Sequence, residues 1–125
     1  MFKKRREEKK KMEKLTTDKI KDLKRAFKKN PSYKFLIDYI EIISNEDRFL
    51  ILNLISKRAC FLSDIEKELN KNQPSISHHI RILEKYKLIH STKKGKFKEY
   101  SISRDIYVKL LNIWNQWFDE IRNRD

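Results

Sequence analysis

Apolar residues recur at helical spacing through most of this chain and at strand spacing in one short stretch. Ile20, Leu23 and Phe27 lie three and four apart, with Thr17 placed to cap and Asp18 in the first turn. That predicts a short amphipathic helix to about Lys29, stopped by Asn30-Pro31. Residues 1–14 hold only Phe2 and Met12 as sizeable apolar groups and are expected to be solvated or frayed. Tyr33, Leu36, Ile37, Ile40 and Ile43 repeat at helical spacing while Phe35, Tyr39 and Ile42 widen the stripe. A helix from after Ser32 to about Ser44 follows, and it wants cover on more than one side. Asn45 is the candidate cap of the next helix, with Glu46 and Asp47 at its positive end and Lys57-Arg58 where it stops. Ser63-Asp64-Ile65-Glu66 has capping-box spacing and predicts a short helix to about Leu69, followed by the polar turn Asn70-Lys71-Asn72-Gln73-Pro74.

Asn72 is placed to cap a further helix to about Tyr86, with Pro74 in the first turn, where a missing amide hydrogen does no harm. On a helical wheel Ile76, Ile80 and Leu83 face one way, and Pro74, Ser77, His78, Arg81 and Lys85 face the other. His79 falls beside Ile82 and Tyr86 and is expected to be a half-buried structural group. After Leu88 the period drops to two: residues 89–93, then Lys94-Gly95-Lys96, then 97–102 with Tyr100 and Ile102 inward. This predicts a β-hairpin with the single glycine at its tip. Residues 105–121 form a last helix with two adjacent stripes, one of Ile106, Leu110, Ile113, Trp117 and Ile121, the other of Tyr107, Leu111, Trp114 and Phe118. Two stripes imply two surfaces to cover.

Composition narrows the class. With 125 residues the chain has room for one ordinary core, and one glycine and two prolines are too few for an all-β sandwich or barrel. The lone Cys60 excludes an internal disulfide and is expected to be a small buried hydrophobe. The sequence holds neither a run of 18 apolar residues nor an apolar stretch behind its basic start, so no membrane span, no signal peptide and a cytoplasmic location are expected. No phosphate-loop, HExxH or paired CxxC pattern occurs, and nothing suggests an enzyme or a cofactor. The net charge of +13 calls for an anionic partner. Residues 1–30 carry +9 of it and residues 31–125 only +4, so a basic tail, partly helical, is set apart from the folded domain.

The predicted order is helix, helix, short helix, polar turn, longer helix, hairpin, helix. Two helices joined by a short turn, the second exposing small polar and basic groups, make the helix-turn-helix that places a helix in the DNA major groove, and the hairpin adds a wing. The fold class expected is therefore mainly α, a winged helix-turn-helix with an extra basic helix or tail at the N-terminus. Gln73, Ser75, Ser77 and His78 are short donors and acceptors in the first two turns, where base contact occurs. Arg81 and Lys85, and Lys93, Lys94, Lys96 and Lys98 of the wing, suit the backbone phosphates. The tail would add affinity and salt dependence without sequence information.

These same segments resemble a known family. Residues 44–52 (SNEDRFLIL), Ser63-Asp64-Ile65, residues 72–83 (NQPSISHHIRIL) and residues 95–102 (GKFKEYSI) look like the ArsR-type winged helix-turn-helix transcriptional regulators. The most specific part is Gln-x-x-x-Ser-x-His-hydrophobic-x-x-Leu, matched by Gln73, Ser77, His79, Ile80 and Leu83. The resemblance implies a homodimer on double-stranded DNA, with the first and last helices of the fold at the interface. Leu36, Tyr39, Ile40, Leu110, Ile113, Trp114, Trp117, Phe118 and Ile121 are the candidates there. Many members sense metals through a Cys-x-Cys-Asp pattern, but here Phe61 and Ser63 stand ahead of Asp64, and one thiolate does not make a tetrahedral soft-metal site. No metal site is expected, and no effector is evident from the sequence. Two other readings stay open: a winged-helix module that binds another protein, and a non-specific nucleic-acid or membrane-surface binder led by the basic tail.

Overall fold

The computed structural model describes residues 2–123 and divides into two compact units after Phe35. The first contains α1 (Phe2–Lys29) and the start of α2 (Pro31–Ile43). Asn30 separates them: its Oδ1 accepts from the Ser32 amide at 3.0 Å, and Pro31 opens α2 at a position where no amide hydrogen is needed. α2 therefore begins at Pro31 rather than after Ser32.

α1 departs most from the sequence reading. It is helical from Phe2, not from Thr17, so residues 2–14 are not frayed; residues 3–12 are exposed as expected, and residues 16–29 are exposed too, the stripe of Ile20, Leu23 and Phe27 included. The apolar pattern that predicted a short helix measures burial, whereas this helix rests on propensity. No glycine or proline lies between residues 2 and 29, and Lys, Arg and Glu are strong helix formers. An exposed Asp22–Arg25 pair one turn apart, at 3.9 Å, adds only a little.

The second unit is built from α3 (Glu46–Lys57), β1 (Cys60–Phe61), α4 (Leu62–Leu69), α5 (Gln73–Lys85), β2 (Ile89–Lys94), β3 (Phe97–Ile102) and α6 (Arg104–Arg122). Asn45 caps α3, its Oδ1 accepting from the Arg48 amide at 3.0 Å. The strands form an antiparallel sheet in the order β1-β3-β2, with Cys60 opposite Tyr100 and Ile89 opposite Ile102. β1 was not expected. It also moves the start of α4, because pairing with β3 holds Phe61 extended as the residue before the helix. Asp64 then accepts from the Phe61 amide at 2.9 Å, so the acceptor at this end is the Asp64 carboxylate and not the Ser63 hydroxyl predicted as the cap.

The core lies where α3 meets α4, α5 and β3. Ile51, Cys60, Ile65, Ile76, Leu83 and Leu88 are fully enclosed, each about 0% exposed, so their apolar surface is entirely withdrawn from water. At the hairpin tip Lys94 pairs with Phe97, leaving Gly95-Lys96 as the loop. Gly95 has φ +62°, and a β-carbon there would meet nothing within 4 Å, so glycine is required by backbone conformation and not by space. Among the described residues no helix is long and apolar enough to cross a membrane.

Candidate nucleic-acid interface

α5 is positioned from both ends. At its start Asn72 Oδ1 accepts from the Ser75 amide at 3.0 Å, with Pro74 in the first turn. At its end Leu88 N–H donates to the Leu83 carbonyl at 2.9 Å and Lys87 N–H to that of Glu84 at 3.0 Å, closing a Schellman turn in which Lys87 takes the left-handed conformation, φ +59°. The rear face, Ile76, Ile80 and Leu83, is buried. On the front Gln73, His78, Arg81 and Lys85 are exposed, and Ser75 and Ser77 are half-buried. A rigid helix with short polar groups turned outward is thus available to a ligand.

A polar network lies beneath this helix that the sequence reading did not find. His79 is only 9% exposed; its Nδ1 stands 3.3 Å from Arg48 Nη1 and its Nε2 3.7 Å from Asp47 Oδ2. Arg48 in turn donates from Nε to the Ile42 carbonyl at 2.8 Å, and Lys71 Nζ lies 3.5 Å from Asp47 Oδ2. Arg48 can only donate, so Nδ1 accepts and Nε2 carries the hydrogen toward Asp47. In the sequence Asp47 stands out only as a charge suited to the helix dipole at the head of α3. Its partner lies 32 positions away, a distance no local pattern spans.

Burial, and after it the Arg48 guanidinium, holds the His79 ring below its ordinary pKa of 6.5. The unfolded chain therefore takes up this proton first as acid is added. His79 contributes stability that is complete above about pH 6.5 and is lost as pH falls from there through the folded-state value. Denaturant midpoints between about pH 5 and 7 are expected to decline toward acid, and His79→Asn is expected to flatten that decline. An identical slope in the variant would show that the ring is not held neutral.

The wing carries its four lysines, Lys93, Lys94, Lys96 and Lys98, exposed. Lys93 and Lys98 are directly opposite each other across β2 and β3, a like-charge pair that disfavours the free hairpin and that an anion relieves. Phe97, the aromatic of the Gly-x-aromatic wing, is 69% exposed and stands edge-on to Phe61 with centroids 6.5 Å apart.

On the opposite chemistry, α2 and α6 leave an apolar surface. Leu36, Tyr39 and Ile113 of the expected interface set are already buried within the chain and Leu110 is half-buried, whereas Ile40, Trp114, Trp117, Phe118 and Ile121 are exposed together with Val108 and Leu111. Trp114 stands edge to face with Trp117 and Phe118, which are tilted against each other, and the centroids are 4.9–5.5 Å apart. Beside them a groove of about 750 Å³ is lined by Tyr39, Ile43, Phe49, Tyr107, Leu110 and Trp114 among others.

Cys60 is enclosed, and burial followed by the Asp64 charge pushes its thiol up. Its Sγ donates to the Arg58 carbonyl at 3.3 Å, so it is a protonated structural thiol. Among the described residues no three His, Cys, Asp or Glu side chains come together as a metal site.

Comparison with known proteins agrees with this geometry. The family model described as bacterial regulatory protein, arsR family, matches residues 45–91, which run from the cap of α3 into β2. The transcriptional repressor SdpR of Bacillus subtilis (strain 168) is 34% identical over 70 residues, 56% of this chain and 78% of that one. An arsenical resistance operon repressor of Staphylococcus aureus is 31% identical over 87 residues, 67% of this chain and 84% of the relative. Among solved structures, an ArsR-like transcriptional regulator from Rhodococcus sp. RHA1 superposes with a TM-score of 0.68 over 76% of this chain and 90% of that one, at 21% identity. The chain belongs to the arsR family of bacterial regulatory proteins, DNA-binding transcriptional regulators and not enzymes.

Proposed function

We propose that the protein acts as a homodimer that reads a two-fold symmetric site in double-stranded DNA and, like the relatives named as repressors, represses by occupying it. In this reading residues 31–125 supply the DNA-binding and dimerisation domain and residues 1–30 a basic arm. α5 enters the major groove, Gln73, Ser75, Ser77 and His78 meet base edges, and Arg81, Lys85, Lys93, Lys94, Lys96 and Lys98 hold phosphates. The observation that carries this is the contrast across α5, an enclosed apolar rear behind an accessible polar front. The unpartnered aromatic face of α6 supports the dimer, since a soluble monomer rarely leaves such a patch open. The arsenical response in the staphylococcal relative's name is not carried over, because this chain holds one cysteine and that one is enclosed.

Ser77→Ala and Lys94→Ala separate the two roles. On a site selected from random duplexes, Ser77→Ala is expected to lose about 1–3 kcal/mol of discrimination while binding random DNA as before. Lys94→Ala is expected to weaken every sequence alike and to lower the salt slope by about one. Equal, sequence-independent losses in both variants would overturn the assignment of base readers. A stable monomer would instead favour the second reading, in which the cluster of Trp114, Trp117 and Phe118 meets a different protein.

A further inference from the structure

α1 is continuous from Phe2 to Lys29, and this gives its charges a geometry that a frayed tail would lack. Lys3, Arg6, Lys10, Lys21, Lys24 and Lys28 follow one another in steps of three, four and eleven residues, each close to one or three whole turns. On an α-helix they therefore fall in a sector about 60° wide. Four of the five carboxylates of α1, Glu7, Glu8, Asp18 and Asp22, lie well outside that sector, interleaved with Lys4, Lys11, Lys19 and Lys29 on a mixed face, and the fifth, Glu13, falls about 20° beyond its edge. Met12, Ile20, Leu23 and Phe27 take a third sector. From Lys3 to Lys28 the basic stripe runs about 38 Å, roughly one turn of B-form duplex.

We propose that this stripe is a second DNA-binding element, which lies along the phosphate backbone and adds affinity without reading sequence. The inference rests on the DNA-binding reading above and specifies which charges of the arm do the work. The partner is a nucleic-acid backbone and not a lipid surface, because an interfacial helix needs apolar anchors along its length and residues 3–11 contain none, while the cations run from end to end. Exposure of every residue from 16 to 29 leaves the stripe open to such a partner.

Two full-length variants with equal net charge test it. One replaces Lys10, Lys21, Lys24 and Lys28 by Gln; the other replaces Lys4, Lys11, Lys19 and Lys29 by Gln, which keeps helix propensity in both. Binding to a random-sequence duplex is followed by fluorescence anisotropy across a salt series, with circular dichroism to confirm that the helix persists. The stripe variant is expected to lose up to about 3.6 from the slope of log affinity against log salt, so that raising salt fourfold costs the parent about 150-fold more affinity than the variant. The mixed-face variant is expected to lose less than about one. Equal losses in both variants, or no loss in the first with tight duplex binding retained, would overturn the inference while leaving the recognition helix in place. So would a loss seen on phosphatidylserine vesicles and not on duplex. Absence of duplex binding by the parent protein would overturn the DNA reading itself.

Discussion

Replacing Leu83 by alanine is expected to lower the free energy of unfolding by about 2–5 kcal/mol. Leu83 is completely enclosed on the rear of α5, at the centre of the packing of that helix on α3, α4 and β2. Alanine removes its isobutyl group and leaves a cavity between rigid elements that close only in part, which adds to the lost transfer energy. In a domain of this size the melting temperature is expected to drop by roughly 10 °C or more. DNA affinity should fall with it at temperatures near the transition, and be regained on cooling. Urea unfolding of parent and variant measures the first effect. A loss below about 1 kcal/mol would mean that the rear of α5 is not the core.

The second large effect concerns the apolar face of α6. Trp114→Glu is expected to convert a dimer to a monomer, measured as mass by light scattering at low micromolar concentration. Trp114 is 36% exposed in the single chain, and in an interface glutamate would place an unpaired carboxylate among Trp117, Phe118 and the groove beside them, while an unchanged circular dichroism spectrum separates loss of the dimer from loss of the fold. Loss of the partner removes the tethering of two recognition helices, which is worth about 10²–10⁴-fold in affinity for a paired site. Binding to a single half-site should hardly change. If the parent protein is itself a monomer at that concentration, the dimer is wrong and the face belongs to another protein.

Much of this was legible in the sequence because the signals were local. Asn45 and Asn72 as caps, Pro74 in a first turn, Gly95 at the hairpin tip, and the inward set Ile76, Ile80 and Leu83 all follow from chemistry within one or two turns of chain. What escaped was non-local or rested on a different energy. β1 is two residues long and exists only through Tyr100 and Glu99, some forty positions on, and it displaced the expected cap at Ser63. The Asp47–His79–Arg48 network joins two helices that sequence spacing does not connect. α1 is held by backbone propensity, to which a search for apolar periodicity is blind. Of the two stripes of α6 only Ile113 is buried in the chain itself, Ile106, Tyr107 and Leu110 are half-buried, and Leu111, Trp114, Trp117, Phe118 and Ile121 are exposed, a difference that helical spacing does not report.

The joint between α5 and β2 is three residues long, 86–88, and each flank is tied down by a tyrosine hydroxyl. Tyr39 of α2 donates to the Tyr86 carbonyl at 2.6 Å, and Tyr107 of α6 donates to that of Leu88 at 3.0 Å. Burial raises the Tyr107 pKa to about 12, so this donor keeps its proton across the whole physiological range. The two helices that carry the apolar face thus also hold the joint from which α5 and β2 extend. A tilt of α2 or α6 would carry one of these two hydroxyls with it, so the apolar face and the α5–β2 joint share their points of attachment.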